Sequence, residues 1–213
     1  DKVTGETLYT ADVILPGMLT GKILRSPHPH ARIRGFDTTA AWAVPGVKAI
    51  VTGDDARGFL QGKVLRDLPV LCWDKVRYIG DRVAAVAAET PEAADEALLL
   101  IDVDYEVLPA VFDPMEAMQT DAPLLHDDIS GYVGAPTELL APDIHNGQTR
   151  LYWTKGDLDK GFAEADVVLE HQFSIPSRHQ GYIEPFTSVI DIDDDGRIQA
   201  WCSSKAPFRA RRQ

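Results

Sequence analysis

Apolar and polar positions along the chain form short stretches of two-residue alternation, broken by turns and short helical segments. Residues 19–26 (LTGKILRS) and 31–37 (ARIRGFD) alternate partially, which is typical of half-buried strands, and residues 47–55 (VKAIVTGDD) predict a strand that ends in a turn. Residues 75–89 (KVRYIGDRVAAVAAE) predict two strands around a Gly-Asp pair. The second strand is an unbroken run of Val and Ala, which predicts burial on both faces.

Helix-start signals separate these strands. Thr90, followed by a proline and acidic residues, predicts the N-cap of a helix, and alternation returns at residues 101–107 (IDVDYEV). Asp113 is followed by a proline and by Glu116, the pattern of a second N-cap with a capping box. Because strands and helices are interleaved, the first part of the chain is predicted to be a mixed α/β or α+β domain.

The periodic pattern is lost over residues 119–152, which predicts a linker crossing a surface. A new unit then begins, in which Asp157 is predicted to cap a short helix. The clearest alternation in the chain runs from Val167 to Ile175 and predicts a strand. Residues 188–204 (SVIDIDDDGRIQAWCSS) predict a hairpin that turns at an Asp-Gly pair.

Composition and charge narrow the classes of partner. The 213 residues are 45% hydrophobic and 25% charged, as expected for a globular protein. The 33 acidic and 21 basic side chains give a net charge of −12, which argues against nucleic acid or an anionic membrane as the main partner. No apolar run approaches the roughly 20 residues that span a bilayer, and the first residues lack a signal-peptide core, so we expect a soluble, cytoplasmic location.

The cysteine content and the two ends of the chain add two further expectations. Cys72 and Cys202 are too few for a disulfide framework, a zinc knuckle or a four-thiolate iron–sulfur cluster, which favours a reducing compartment. The sequence closes on APFRARRQ directly after a strand-like segment. We therefore expect the chain to be a fragment of a longer protein.

Two motifs resemble metal sites but lack a required ligand. Residues 191–196 match the first half of a calcium loop, but Cys202 stands where a bidentate glutamate is required, so an acidic hairpin tip is the better interpretation. His28 and His30 have no third ligand nearby and are interpreted as structural histidines. No residue of this sequence is predicted to ligate a metal directly.

The segment RHQGYIEP places His179 and Glu184 five positions apart. This spacing differs from the helical HExxH zinc motif, which leaves two interpretations: a general acid–base pair, or two polar residues at a strand end that Pro185 marks. Motif chemistry alone therefore predicts no reaction.

A series of segments, in order, resembles the molybdenum-binding large subunit of the xanthine dehydrogenase and aldehyde oxidase family. The segments are GETLYTADVILPGMLTGKILRSPHPHARI, PGVKAIVTGDD, KVRYIGDRVAAVAAET, EALLLIDVDYEVLPAV, KGDLDKGFAEADVVLEHQF, RHQGYIEP and GRIQAWCSSKAPFRAR. The resemblance covers nearly the whole chain, and it rests on the order and spacing of the segments together.

The resemblance implies an α+β fold with three parts: an α/β hammerhead domain at residues 1–118, a linker at 119–152, and at 153–213 the start of a mixed α/β molybdopterin-binding domain. It implies a molybdenum–molybdopterin cofactor and oxidative hydroxylation of an aldehyde or N-heterocycle, with water as the oxygen source. Electrons would leave through iron–sulfur clusters to FAD on other domains or subunits, which implies a hetero-oligomer.

The resemblance also implies roles for individual residues. The family's catalytic base is a glutamate much later in the chain, so no catalytic residue is expected in this stretch, and Glu184 is not that base. Lys205 stands where the family usually has a glutamine beside the metal's oxo group, which makes Lys205 a cofactor-binding candidate and a departure in charge. His179 and Glu184 are expected to shape the wall of the metal pocket without touching the metal.

Two other functions remain open at this point. The hammerhead-like unit could be a non-catalytic interaction or scaffold domain, as its acidic composition and lack of a complete motif allow. The chain could also belong to a carbon monoxide dehydrogenase-like subunit.

Overall fold

The computed structural model describes residues 1–62, 65–134, 140–141 and 143–211. These residues form two units, each with its own packing: Leu19–Lys155 is one, and Asp1–Met18 together with Gly156–Gln213 is the other. None of the described helices combines the length and apolar character that crossing a bilayer requires.

The unit Leu19–Lys155 is built on two three-stranded antiparallel sheets. The first sheet has the order β1-β7-β3 and the second β6-β2-β8, while β4 and β5 form a separate pair. The strands are β1 Thr20–Arg25, β2 Ala31–Asp37, β3 Val47–Thr52, β4 Leu60–Gln61, β5 Leu68–Pro69, β6 Lys75–Val76, β7 Arg82–Ala88 and β8 Asp102–Val107.

Strand β7 is buried on both faces, as its Val/Ala run predicts. Ala84 and Val86 project into one apolar cluster, which also contains residues around the helix α2 (Pro91–Leu99). Val83 projects from the opposite face into a second cluster with Cys72. Because neighbouring residues of a strand point to opposite faces, this single strand belongs to both cores of the unit.

Among the described residues of this unit, two of the three helices start at a side-chain cap. The side chain of Thr90 accepts a hydrogen bond from the amide of Ala93 at the start of α2, which confirms the predicted N-cap. The carboxylate of Asp113 accepts from two backbone amides at the start of α3 (Pro114–Ala117). The remaining helix, α1, spans Thr39–Trp42.

The described part of residues 119–152 contains turns and one isolated β-bridge, and it is held in place by side chains. Asn146 donates to the carbonyls of Ala117 and Pro123 and accepts from the amide of Leu125. The backbone of Asn146 is left-handed, with φ of 55°, which asparagine tolerates better than most residues. One asparagine therefore connects the end of α3 with two points of this segment.

Two basic side chains anchor the same segment to the strands. The side chain of Lys75 is only 3% exposed, and its ammonium donates to the Leu124 carbonyl and to Asp127 at 3.2 Å each. Arg77 Nε donates to the Leu125 carbonyl at 3.0 Å. A buried ammonium requires such partners, so these contacts fix the path of the segment over β6.

The second unit contains few regular elements among its described residues. These are a 3₁₀ helix at Thr10–Asp12, helices α4 Leu158–Ala163 and α5 Pro207–Ala210, and the hairpin formed by β9 Ser188–Ile192 and β10 Ile198–Cys202. Asp157 caps α4 by accepting from the Lys160 amide, as predicted. Within this unit β9 contacts the 3₁₀ helix, and Val189 is buried.

The strand predicted at Val167–Ile175 is absent, which corrects the interpretation of the clearest alternation in the sequence. Phe173 and Ile175 are 83% and 88% exposed, and none of the described residues pairs with this segment. Alternation reports a preference for a pleated, half-buried surface, whereas a strand also needs a neighbour for its backbone hydrogen bonds.

Candidate functional site

The hairpin β9–β10 brings two distant segments of the chain together. Ser188 at the start of β9 is paired with Cys202 at the end of β10, and the Ser203 amide extends the ladder to the Thr187 carbonyl at 3.4 Å. Residues that precede β9 and residues that follow β10 therefore emerge at the same end of the hairpin. This register places RHQGYIEP beside the segment SSK, residues 203–205.

These two segments line a cavity of about 900 Å³, which we call the hairpin-end groove. It is lined by His179, Gln180, Tyr182, Glu184, Phe186, Ser203, Ser204 and Lys205. All three residues singled out from the sequence, His179, Glu184 and Lys205, lie in this one groove.

His179 is held by its own short turn. The amide of Gly181 donates to His179 Nδ1 at 3.1 Å, so the neutral ring carries its proton on Nε2, which lies 3.2 Å from the Tyr182 hydroxyl. Gly181 has φ of 69°, a left-handed conformation that glycine adopts without steric cost. The glycine in RHQGYIEP thus allows the backbone to fold back onto the histidine.

Glu184 is bound to the other segment. Its Oε1 accepts a hydrogen bond from Ser203 Oγ at 2.9 Å, and the same hydroxyl lies 3.2 Å from the Pro185 carbonyl. His179 and Glu184 therefore have separate partners, Tyr182 and Ser203, and no hydrogen bond joins these two described side chains to each other. This arrangement supports a role in shaping the groove rather than a directly coupled acid–base pair.

Three rings form one wall of the groove. The His179 and Tyr182 ring centroids are 4.8 Å apart, and those of Tyr182 and Phe186 are 4.7 Å apart at an interplanar angle of 64°. Both separations lie in the range of favourable aromatic contacts. Phe186 is 78% exposed, which leaves apolar surface available to a ligand.

Lys205 supplies the positive charge of the groove. It follows β10 by three residues, and within the described part of the chain it makes no ion pair or hydrogen bond. The neighbouring Ser204 hydroxyl accepts from the Ala206 amide at 3.1 Å, which closes a short turn around the lysine. The ammonium and the donors Gln180 and Ser204 are suited to a ligand rich in oxygen and nitrogen, as a molybdopterin is.

Sequence reasoning missed the aromatic wall and the serine that binds Glu184. The predicted hairpin contained the signal, since an Asp-Gly turn fixes which residues face each other and hence that position 203 lies next to position 187. The ring contacts could not be found in this way, because they depend on side-chain directions within an irregular segment.

The other candidate motifs have local structural partners. His30 Nδ1 lies 2.6 Å from the Pro109 carbonyl, and the His28 ring packs edge-on against Tyr105 at 5.0 Å. Asp193 Oδ1 accepts from the amides of Asp195 and Arg197, which confirms the acidic hairpin tip. Over the described ranges, no group of three or more His, Cys, Asp or Glu side chains is placed to hold a metal ion.

Two family models match the chain in sequence order. Residues 4–109 match the "Aldehyde oxidase and xanthine dehydrogenase, a/b hammerhead domain", and residues 142–213 match the "Molybdopterin cofactor-binding domain". The fold and the two matches thus define a hammerhead domain followed by part of a cofactor-binding domain. The chain belongs to the aldehyde oxidase and xanthine dehydrogenase family.

Similar proteins match over essentially the whole chain. The chain is 39% identical over 213 residues to a protein of Bacillus subtilis named as a probable xanthine dehydrogenase subunit, covering 100% of this chain and 26% of the relative. It is 34% identical to the nicotinate dehydrogenase large molybdopterin subunit of Eubacterium barkeri, covering 99% of this chain and 46% of the relative.

Among solved structures, the Cu,Mo-CO dehydrogenase in its carbon monoxide reduced state matches with a TM-score of 0.85 and 35% identity, covering 99% of this chain and 27% of that one. The chain therefore spans between about a quarter and a half of the length of these similar proteins.

Proposed function

We propose that this chain is the amino-terminal part of a molybdenum hydroxylase large subunit, which oxidatively hydroxylates an aldehyde or N-heterocycle with water as the oxygen source. The observation that carries the proposal is the ordered match of a hammerhead domain and a molybdopterin cofactor-binding domain along one chain. The similarity to relatives named as xanthine and nicotinate dehydrogenases supports the same reaction class.

The molybdenum cofactor, when bound, supplies the redox chemistry that transfers an oxygen atom from water to the substrate. In this proposal Lys205 and its neighbours in the hairpin-end groove hold one side of that cofactor, since they bring hydrogen-bond donors to a single cavity. His179 and Glu184 keep the groove in shape through Tyr182 and Ser203.

In this proposal the catalytic base and the electron-transfer groups lie outside these residues. The base that activates the reaction belongs to a later part of the polypeptide, and iron–sulfur and FAD groups sit on other domains or subunits of a hetero-oligomer in the cytoplasm. Relatives that are themselves named as subunits of xanthine and nicotinate dehydrogenases support a multi-subunit assembly.

The test uses the full-length protein that contains this sequence, purified with its co-expressed subunits. We expect about one molybdenum and one pterin per large subunit by mass spectrometry and absorbance, and reduction of a dye acceptor by an aldehyde or N-heterocycle. A folded, active enzyme that contains no molybdenum would contradict the proposal.

A carbon monoxide dehydrogenase-like protein is the second candidate, favoured by the TM-score of 0.85 to the Cu,Mo-CO dehydrogenase. The two candidates differ in their metals and substrates. Copper in stoichiometric amount together with CO oxidation would support this second function, whereas molybdenum without copper, together with heterocycle hydroxylation, would support the first.

A further inference from the structure

The first residues of the chain pack with the cofactor-binding part, although they precede the hammerhead strands in sequence. Asp1–Met18 and Gly156–Gln213 form one unit, whereas the match to the hammerhead family model already begins at residue 4. Sequence similarity and packing therefore divide the start of the chain differently. By its packing the cofactor-binding unit is discontinuous, with Leu19–Lys155 inserted between its two parts.

The buried residues of this unit lie where its two parts meet. Among the described residues of the unit, only Thr10 and Val189 are buried. Thr10 begins the 3₁₀ helix, Val189 lies in β9, and these two elements are in contact. The helix is also closed by a bond of its own, in which the Tyr9 amide donates to Asp12 Oδ2 at 2.8 Å. The start of the chain therefore supplies one half of the buried centre of the unit.

The contact lies close to the hairpin-end groove. Val189 is paired with Trp201, next to the last pair of the hairpin, Ser188 with Cys202. Residues 203–205 follow directly and line the groove. Because a two-stranded hairpin is only marginally stable by itself, packing against Val189 helps to fix the strands from which both groove segments emerge.

We propose that residues 1–18 are a positioning element of the cofactor site, in which the helix around Thr10 holds β9 and thereby the hairpin-end groove. Such residues act without touching the cofactor, since a site whose supporting contacts leave it about 1 Å too loose binds its ligand poorly. As far as it concerns molybdenum, the inference rests on the proposed function. The packing of residues 1–18 on β9 is tested independently of it.

The experiment introduces an arginine at two neighbouring positions of the full-length protein, purified with its co-expressed subunits. T10R places the long side chain at a buried position, whereas A11R places it at the next residue of the same helix, which is exposed. A11R is therefore the matched control for size and charge. T10V keeps the branched shape of the threonine side chain, and T10A shortens it.

Two quantities are measured for each variant: hydrogen exchange of the β9 and β7 amides, and the molybdenum that remains bound after gel filtration. In T10R the β9 amides should exchange at least about tenfold faster than in the wild type, because the strand loses its packing partner. The β7 amides should keep their rates, since β7 belongs to the unit Leu19–Lys155.

The molybdenum that remains bound in T10R should fall to about half of the wild-type amount or less, because the groove is no longer held in place. A11R and T10V should match the wild type in exchange and in molybdenum. T10A should show the changes of T10R at smaller amplitude, and it decides the outcome if T10R does not accumulate as a folded protein.

Wild-type exchange of β9 in both T10R and T10A would overturn the inference, as would equal acceleration of β7 and β9. An effect of A11R as large as that of T10R would overturn it as well. Faster β9 exchange with undiminished molybdenum would overturn the link to the cofactor. A folded wild type without molybdenum contradicts the proposed function instead, and the exchange rates still test the packing of residues 1–18.

Discussion

At the scale of single residues, the two cysteines show how differently the same side chain behaves in the two units. Cys72 is fully buried, and burial, followed by the nearby Asp81 carboxylate, raises the pKa of its thiol far above the ordinary value. Cys202 lies exposed at the end of β10. Because the thiolate is the reactive form, the two thiols should differ strongly in reactivity.

We predict that a thiol reagent such as iodoacetamide modifies Cys202 and leaves Cys72 untouched in the native chain. In urea both cysteines should react, since unfolding removes the burial that protects Cys72. Peptide mass spectrometry distinguishes the two sites, and C202S serves as the control, with no rapid labelling. Rapid native labelling of Cys72 would contradict the packing of the second apolar cluster.

His126 provides a second prediction, on pH. Burial, with a further contribution from Arg77, holds the pKa of His126 below its ordinary value of 6.5. The unfolded chain therefore takes up a proton before the folded chain does as the pH falls, so stability present above about pH 6.5 should be lost below it.

In the variant H126N this loss of stability between pH 7.5 and 5.5 should be smaller, because the titrating group is gone while an amide remains near the Tyr132 hydroxyl. Urea unfolding at several pH values measures the effect. H171N removes an exposed histidine and is the control, with a pH dependence like that of the wild type. A profile for H126N identical to the wild type would contradict the prediction.

At the scale of elements, local signals in the sequence predicted much of the structure. Caps at Thr90, Asp113 and Asp157 formed as expected, because a capping side chain needs only its own first turn. The strands β1, β2, β3, β7 and β8 and the β9–β10 hairpin also lie where the sequence pattern predicted them. The Val167–Ile175 strand failed because its formation depends on a partner, which a local pattern does not contain.

The residues of the groove were predictable to a similar extent. The sequence singled out His179, Glu184 and Lys205 because they carry distinctive chemistry in segments that resemble a known family, and the structure places all three in the hairpin-end groove. The contacts of Tyr182, Phe186 and Ser203 were not found, since they arise from the way the hairpin register joins two segments. Residue chemistry was therefore visible in the sequence, while the geometry of the groove was not.

The contacts of Asn146 lead to a prediction about the irregular segment that follows α3. Replacing Asn146 by Gly should destabilise the chain by about 1–3 kcal/mol, because three backbone groups lose their partner while the left-handed backbone is preserved. Asn146→Ala should cost roughly 1 kcal/mol more, since alanine also opposes a φ of 55°.

Urea unfolding of both variants and the wild type measures these differences. A stability of N146G equal to that of the wild type would show that the side-chain bonds of Asn146 contribute nothing. Equal stability of N146A and N146G would show that the left-handed backbone carries no cost.

At the scale of the whole molecule, the two units differ in how completely they are packed. Leu19–Lys155 contains two apolar clusters, whereas most apolar side chains between Val167 and Phe186 are exposed. The Bacillus subtilis relative is about four times as long, since this chain spans 26% of it. We expect further parts of the full-length protein to cover this apolar surface.

Hydrogen exchange tests this expectation. Amides of residues 167–175 should exchange rapidly in the 213-residue chain and at least about 100-fold more slowly in the full-length protein, where a neighbouring strand protects them. Amides of β9 are the internal reference, since they are already paired with β10. Equally rapid exchange at 167–175 in both proteins would contradict the expectation.

The pairing of β1 with β7 has a consequence for synthesis of the chain. Thr20 is paired with Ala88, and Ala31 of β2 is paired with Val107 of β8, so β1 and β2 leave the ribosome well before the strands that pair with them are made. Such distant pairings make folding slow and leave strand edges exposed in the meantime. The nascent hammerhead unit should therefore depend on chaperones until its eighth strand has emerged.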